Sequence, residues 1–387
     1  MADAYLIDAI RTAGARRKGA LAHWHPAEMA GEVLDALVDR AGIDPIAIED
    51  VIMGCVNQAG EQAHHVGRMA VLSSHLPQSV PAVTIDRQCG SSQQALQFAA
   101  QAVMSGTQDV VIAAGVESMT RSPMFSNFTL HNEAGIGAGP FSDRLRQRFG
   151  VRDFSQFTGA EMMADKYGLS REDLDQFALE SHRKAATASD AGAFADEIIP
   201  LAREDGTIHM RDEGIRADAT MESIGSVKTI QENGKISAAN ASQICDGASA
   251  VLVVSEKALK RYNLRPIARI ERMLVSAGDP VIMLEEPIHA TRRILAKAGL
   301  SLSDVDLFEV NEAFASVPLA WLKALDADPA KLNVNGGSIA LGHPLGATGT
   351  KLMSTLVHAL RSRGKRYGLQ TMCEGGGIAN VTIVEAL

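Results

Sequence analysis

The sequence predicts an α/β fold of two similar halves with a long irregular segment between them. Three observations carry that expectation. Short β-branched runs alternate with helical stretches, the alternation returns near the C-terminus at an almost constant offset, and the residues in between break both patterns.

The first passage runs Asp50-Val-Ile-Met-Gly, Val83-Thr-Ile-Asp, a helix over 91–104, and then Asp109-Val-Val-Ile-Ala-Ala-Gly. Short apolar strands spaced by helix-length segments read as a largely parallel sheet. The second passage overlays the first. Ala41-Gly42-Ile43 matches Ala298-Gly299-Leu300, 257 residues on, and Val51-Ile52-Met53-Gly54 falls on Phe308-Glu309-Val310-Asn311 at the same offset. Ser105-Gly106 matches Arg363-Gly364 at 258, and Val111-Ile112-Ala113-Ala114-Gly115 falls on Leu369-Gln370-Thr371-Met372-Cys373. Matches at nearly one offset indicate a duplication. Two such halves place their strand ends, and the loops that follow, around a shared site. Between them, about 118–241, come Gly-, Asn-, Arg- and Met-rich stretches interrupted by an amphipathic helix over 171–188. An insertion of that length is expected to cover a ligand rather than to fill a core.

Composition bounds the function. With 387 residues, 46% of them hydrophobic, the chain can bury two domains or a duplicated one. Lys plus Arg total 37 against 46 Asp plus Glu, for a net charge of -9, and no basic block stands out, which argues against nucleic acid as a partner. A few gathered cations or helix N-termini can still hold an anionic ligand. No run approaches the roughly eighteen apolar residues that span a bilayer, and the N-terminus lacks a basic region, so no membrane association and a cytoplasmic location are expected. In a reducing compartment Cys55, Cys89, Cys245 and Cys373 stand as free thiols.

Two of those thiols sit in chemical contexts. Cys89, in Asp86-Arg87-Gln88-Cys89-Gly90-Ser91-Ser92, falls between a strand and an Ala-rich helix. A helix N-terminus favours the thiolate, so the thiol is expected to be acidified there. Cys373 ends a strand and opens Cys373-Glu374-Gly375-Gly376-Gly377, where free N–H groups beside a thiol suggest an oxyanion hole. His343 lies in the glycine-rich stretch 335–349, which lacks the Gly-Lys-Ser/Thr of a phosphate loop; a histidine on a tight turn facing Cys89 could serve it as a base. Asn311, after the strand ending at Val310, could contact a developing oxyanion or cap a helix. His64-His65 has no further ligand at metal-binding spacing, so no metal site is expected.

Gln88-Cys89-Gly90-Ser91, Asn311-Glu312-Ala313-Phe314, Gly342-His343-Pro344-Leu345-Gly346 and Cys373-Glu374-Gly375-Gly376-Gly377, in this order and spacing, resemble the motifs of the thiolases, with the likeness covering essentially the whole chain. The resemblance implies a thiolase-like five-layer αβαβα fold. It assigns residues 1–117 with 242–264 to one half, 118–241 to a loop domain covering coenzyme A, and 265–387 to the other half. It also implies a homodimer or homotetramer acting on CoA thioesters, with CoA as substrate and no tightly bound cofactor.

By the same likeness Cys89 is the acylated nucleophile, His343 its base and Cys373 the proton shuttle. One oxyanion hole would use His343 and a water on Asn311, the other the N–H groups of Cys89 and Gly375. Ser242 matches the serine that bonds pantetheine, Arg216 and Ser223 match residues near the adenine and phosphates, and Ala313 and Phe314 join the CoA-binding set. The implied reaction cleaves a 3-ketoacyl-CoA with CoA to acetyl-CoA or propionyl-CoA and a shortened acyl-CoA. Alternatives are an acetoacetyl-CoA-forming thiolase, a ketoacyl synthase, for which a second thiol is superfluous, and an idle binding protein of the same fold. The short-chain members' methionine-containing run is replaced by Ser155-Gln156-Phe157-Thr158-Gly159-Ala160-Glu161, while Glu374 and Gly377-Ile378-Ala379-Asn380 look closer to bacterial degradative members.

Overall fold

The computed structural model describes residues 2–387. In chain order, strand β1 (Ala4–Thr12) leads to helix α1 (Pro26–Ala41), β2 (Asp50–Gly54), α2 (Val66–Ser73), β3 (Ala82–Ile85), α3 (Ser91–Met104) and β4 (Val110–Ser118). After the inserted segment, with α4 (Gln156–Lys166) and α5 (Arg171–Asp190), come β5 (Cys245–Ser255) and β6 (Ala268–Ala277). The chain finishes with α6 (Glu286–Ala298), β7 (Leu307–Val310), α7 (Ser316–Leu325), α8 (Ser338–Leu341), α9 (Thr348–Ser362), β8 (Tyr367–Glu374) and β9 (Ile378–Ala386).

The duplication is visible in the helix ends as well as in the strands. α1 stops at Gly42 and α6 at Gly299, both left-handed (φ 64° and 68°) and both satisfying orphan carbonyls of the last turn. Their starts are also alike, with Pro in the first turn of each, where the missing N–H costs nothing.

The strands form one continuous sheet in the order β7-β8-β9-β6-β1-β5-β4-β2-β3. It differs from the expected largely parallel sheet. β2 pairs in parallel with β3 and β4, and β7 with β8, but β4–β5, β5–β1, β6–β9 and β8–β9 are antiparallel. The reason is that the last strand of each half runs back antiparallel beside its predecessor, after the tight turn 375–377 in the C-terminal half and after the whole inserted segment in the N-terminal half. β1 and β6, the first strands of the two halves, join the sheets through Tyr5↔Arg269 and Leu6↔Ala268.

Both faces of the strands are covered, and successive residues serve different layers. In β5, Ala250, Leu252 and Val254 pack toward α1 and α2, beside Leu34 and Val71, while Val251 and Val253 face the central layer. That layer consists of α3 and α9, whose Leu96, Val103, Met353 and Leu356 also meet Ile270 and Val384 of the other half. On the far side α6 and α7 cover β8 and β9 through Ile288, Ile294 and Trp321. The result is five layers, αβαβα. The expected helix over 171–188 is α5, continuing to Asp190 behind a Ser170–Asp173 capping box.

Candidate active site

Cys89 is held in a tight, left-handed turn rather than in the first turn of α3. Gln88 takes φ 48°, a conformation uncommon for a non-glycine residue. The turn is over-determined. Asp86 accepts the Gln88 N–H at 2.6 Å, while Ser91 Oγ accepts the Arg87 N–H at 2.9 Å and donates to the Gln88 carbonyl at 2.6 Å. Among the described residues the N–H groups of Cys89 and Gly375 have no protein acceptor. The two turns touch, since a Cβ built on Gly375 would lie 2.9 Å from Gln88 Oε1.

The His343 tautomer follows from its neighbours. Thr348 Oγ1 donates its single proton to the Pro344 carbonyl (2.9 Å), so in the 2.6 Å contact with His343 Nδ1 it accepts, and Nδ1 carries the ring proton. His343 Nε2 is left unprotonated, its lone pair taking a long hydrogen bond from Asn311 Nδ2 at 3.4 Å. The Asn311 amide is oriented by Ser338 Oγ, which donates to its Oδ1 at 2.6 Å. Asn311 therefore caps no helix. The turn is anchored by the buried Lys351 ammonium, which donates to the Leu341 and Gly342 carbonyls, and by the His343 N–H, which donates to the Gln243 carbonyl at 3.1 Å.

The electrostatics correct one expectation. Burial pushes the Cys89 thiol up to about 12, with a charged Glu374 as the next contributor, so the helix-end contribution does not prevail. Burial takes Cys373 well above the usual thiol range, with the Cys89 thiol as the next contributor. His343 is lowered to about 3 by burial and then by the Lys351 charge. At neutral pH Cys89 is therefore a protonated thiol and His343 a neutral imidazole.

A cleft of about 430 Å³ opens over these groups. His343, Ser242, Arg216, Ala313 and Phe314 line it, with Gln156, Phe157 and Leu345. Cys89 packs beneath, in an apolar cluster with Val56, Met372 and the cleft residues Met119 and Leu345. Ser242 is placed by backbone pairing, its N–H donating to the Ala313 carbonyl at 3.0 Å. Ser223 is not brought to the lining. It belongs to a short capped helix, and its hydroxyl donates to the Thr220 carbonyl at 2.9 Å. Among the described residues no group of three or more His, Cys, Asp or Glu side chains is arranged to hold a metal, and no helix is long and apolar enough to cross a membrane.

Residues 4–257 match the family described as thiolase, N-terminal domain, and residues 264–386 the one described as thiolase, C-terminal domain. The chain belongs to the thiolase family. A steroid 3-ketoacyl-CoA thiolase of Mycobacterium tuberculosis is 50% identical, with 100% of this chain and 95% of that protein covered. A 3-oxoadipyl-CoA/3-oxo-5,6-dehydrosuberyl-CoA thiolase of Escherichia coli is 41% identical, with both chains fully covered. Among solved structures, the Bacillus anthracis acetyl-CoA acetyltransferase superposes with a TM-score of 0.91 at 36% identity, covering 100% of this chain and 99% of that one. This thiolase is thus an acyltransferase that cleaves 3-ketoacyl-CoA thioesters.

Some supporting residues escaped the sequence reading. The buried Glu117 at the end of β4 accepts hydrogen bonds from Val56 N, Asn57 N, Gln62 Nε2 and Gly346 N at 2.9–3.0 Å, tying the His343 loop to the loop after β2. A carboxylate inside an apolar strand was the available signal, because an unpartnered one there is too costly to persist. Glu312, quoted within a motif but given no role, accepts from Ser181 Oγ (2.6 Å), Asn333 Nδ2 (2.9 Å) and Ile339 N (3.1 Å) and fixes the loop leading to His343. Thr348 carried no signal apart from its position five residues after His343.

Proposed function

We propose that this thiolase works in a degradative direction through an acyl-Cys89 intermediate. The observation that carries the reading is the unprotonated His343 Nε2, engaged by a long 3.4 Å hydrogen bond from Asn311, in the wall of a cleft whose floor packs on Cys89.

In the first half-reaction the Cys89 proton passes to His343 Nε2 as the sulfur attacks the 3-keto carbon. The C3 oxygen that becomes negative, on the carbon now bonded to Cys89 Sγ, is met by the N–H groups of Cys89 and Gly375. The bond between C2 and C3 then breaks. The acetyl-CoA enolate, its oxygen facing His343, now N–H bearing, and a water held by Asn311, takes a proton from Cys373. In the second half-reaction an incoming CoA thiol returns a proton to Cys373 and attacks the acyl-Cys89 thioester. Cys89 leaves and recovers its proton from His343, so every group ends as it began.

The neutral starting pair suits this scheme, because proton transfer coupled to attack keeps free charge out of a buried site. The Ser242 hydroxyl would bond pantetheine, Ala313 and Phe314 would wall it, and Arg216, with Arg16 and Arg17 also lining the cleft, would meet the phosphates. Ser223 can contribute only from its own exposed turn. CoA is then a substrate that comes and goes, with no tightly bound cofactor. The degradative relatives, one acting on a steroid and one on an oxoadipyl thioester, support the direction. The division into 1–117 with 242–264, 118–241 and 265–387, a homodimer or homotetramer, and a cytoplasmic location for four free thiols belong to the same proposal.

The test is brief exposure to a 3-ketoacyl-CoA without free CoA, followed by peptide mass analysis. The shortened acyl mass is expected on the Cys89 peptide. Label confined to Cys55, Cys245 or Cys373 overturns the assignment.

A further inference from the structure

Glu374 follows Cys373 and is wholly buried, yet among the described residues no cation is hydrogen-bonded to it. Its carboxyl lies directly over Gly90, in the space a side chain there would need. Oε1 accepts the Asn380 backbone N–H at 2.9 Å, and the Asn380 side-chain amide faces both carboxyl oxygens, with the nearer contact at 2.5 Å.

The orientation of that amide decides where a proton must be. Gln97, on α3, points its Nε2 at the Val381 carbonyl (3.1 Å), Thr382 Oγ1 (3.1 Å) and the Leu274 carbonyl (3.4 Å), so its Oε1 has to face the other way, toward Asn380. Asn380 Nδ2 donates to that Oε1 at 2.9 Å and to Gln94 Oε1 at 3.2 Å. Asn380 Oδ1 is then the atom against Glu374. Reversing the amide would move the oxygen–oxygen contact onto Gln97, which cannot turn without setting its own oxygen against two carbonyls. One oxygen–oxygen contact therefore exists in either orientation. Only the one at Glu374 can be relieved, by a carboxyl proton, and 2.5 Å suits a short O–H···O bond.

We propose that Glu374 is a neutral carboxylic acid at neutral pH, donating to Asn380 Oδ1, and that it is a positioning residue that must keep its proton for the carbon–carbon step. This rests on the reading above, in which Cys89 and Cys373 carry the chemistry. The groups facing Glu374 are Arg87 and Cys89 from the turn before α3 and Cys373 on its own strand, with Asp86 and Glu117 acting on Cys89 behind them. α3 and β9 present only the neutral Gln94, Gln97 and Asn380. As a carboxylate Glu374 would push both thiols up and oppose the negative oxygen that forms at Cys89 and Gly375 as the sulfur adds to C3. As an acid it does neither, and it still locks the Gly90 turn against the Cys373–Gly375 turn. Burial raises the group to about 8, in the same direction.

The proton is read directly by infrared difference spectroscopy of the full enzyme. A protonated-carboxyl C=O band should be present at neutral pH, vanish as pH rises through about 8 and be absent in Glu374→Gln. Asn380→Leu, which removes the acceptor, should shift that band, giving a second test if Glu374→Gln does not fold. No such band at neutral pH, or a band indifferent to Asn380→Leu, overturns the proposal.

Kinetics reads the role. Wild-type kcat/KM should fall about tenfold per pH unit above that point, as expected for loss of one essential proton. Glu374→Gln should stay within a few-fold of wild type at neutral pH and lose that limb. An unchanged limb in Glu374→Gln, or inactivity of a folded Glu374→Gln at every pH, overturns the role. Failure of Cys89 acylation would instead sink the mechanism while leaving the infrared result intact.

Discussion

At the end of β2 and within β4 the N-terminal half has Gly54 and Gly115, whereas at the matching positions, just past β7 and near the end of β8, the C-terminal half has Asn311 and Cys373. The exchange runs the other way at the turns before the central helices. There Cys89 corresponds to Ala347, at the separation of 258 that also relates Ser92 and Thr350, which hydrogen-bond each other across the pseudo-symmetric helix pair. The glycines are as necessary as the reactive groups. A Cβ on Gly54 would lie 2.7 Å from the Gly346 carbonyl, and one on Gly115 would press on the same atom still more closely. One half thus vacates its strand ends so that the His343 loop of the other can enter. A duplicated framework yields a single asymmetric site because each half gives up what its copy supplies.

That comparison can be broken at its reactive end. Cys373→Ala should lower carbon–carbon cleavage by roughly 10²–10⁴-fold, the usual worth of a positioned acid/base. Acyl transfer to Cys89 from a simple acyl-CoA should remain detectable, as followed by intact-protein mass. His343→Ala should depress both half-reactions by a similar factor, and near-normal acylation of that variant would remove it as the base.

At the vacated end, Gly115→Ala should cost about 1–3 kcal/mol of stability, as overpacking does, measured by chemical denaturation. It should also reduce turnover through displacement of the His343 loop. Thr348→Val removes the acceptor that fixes the imidazole proton on Nδ1. Leaving that buried donor unpaired costs about 1–3 kcal/mol, and turnover should fall with little change in KM. An unchanged kcat would show that the tautomer is set elsewhere.

The smallest effect concerns the cleft wall, where Gln156 and Phe157 stand and Phe157 meets Phe314 edge-on at 5.8 Å. Each methylene accommodated is worth about 0.8 kcal/mol, or roughly fourfold. kcat/KM for thiolysis should therefore rise from acetoacetyl-CoA toward medium-chain or ring-bearing 3-ketoacyl-CoA. A maximum at the four-carbon substrate would mean that Phe157 closes the pocket.

The sequence was most legible where local chemistry suffices. The Ser91–Met104 helix, the paired Gly42 and Gly299 stops and the strand ends at Asn311 and Cys373 follow from period, turn residues and internal repetition. Direction within the sheet was missed for two reasons: the Gly375-Gly376-Gly377 turn that makes β8 and β9 a hairpin was read only as a ligand loop, and the antiparallel placement of β5 depends on where the chain returns after the inserted segment. Thiol acidity was misjudged for a related reason: a helix end can be read locally, whereas the burial that raises Cys89 is a property of the packed whole. Gly375 and Ser242 came from motifs. Glu117 and Thr348 act through loops that only the fold brings near.

The pairing of β4 with β5 has a further consequence, for how the molecule is made. The two strands lie side by side from Val110↔Val254 to Ser118↔Asp246, yet Ser118 and Asp246 are 128 positions apart. Closing a loop of that length costs about 3 kcal/mol more than closing a four-residue hairpin, and contacts so distant in sequence slow the search for the native state. During synthesis β4 must wait, with its edge unpaired, until the whole inserted segment and β5 have emerged. Without β5 no strand joins β1 to β4, so the sheet that carries the Cys89 turn is completed only after the inserted segment has been translated.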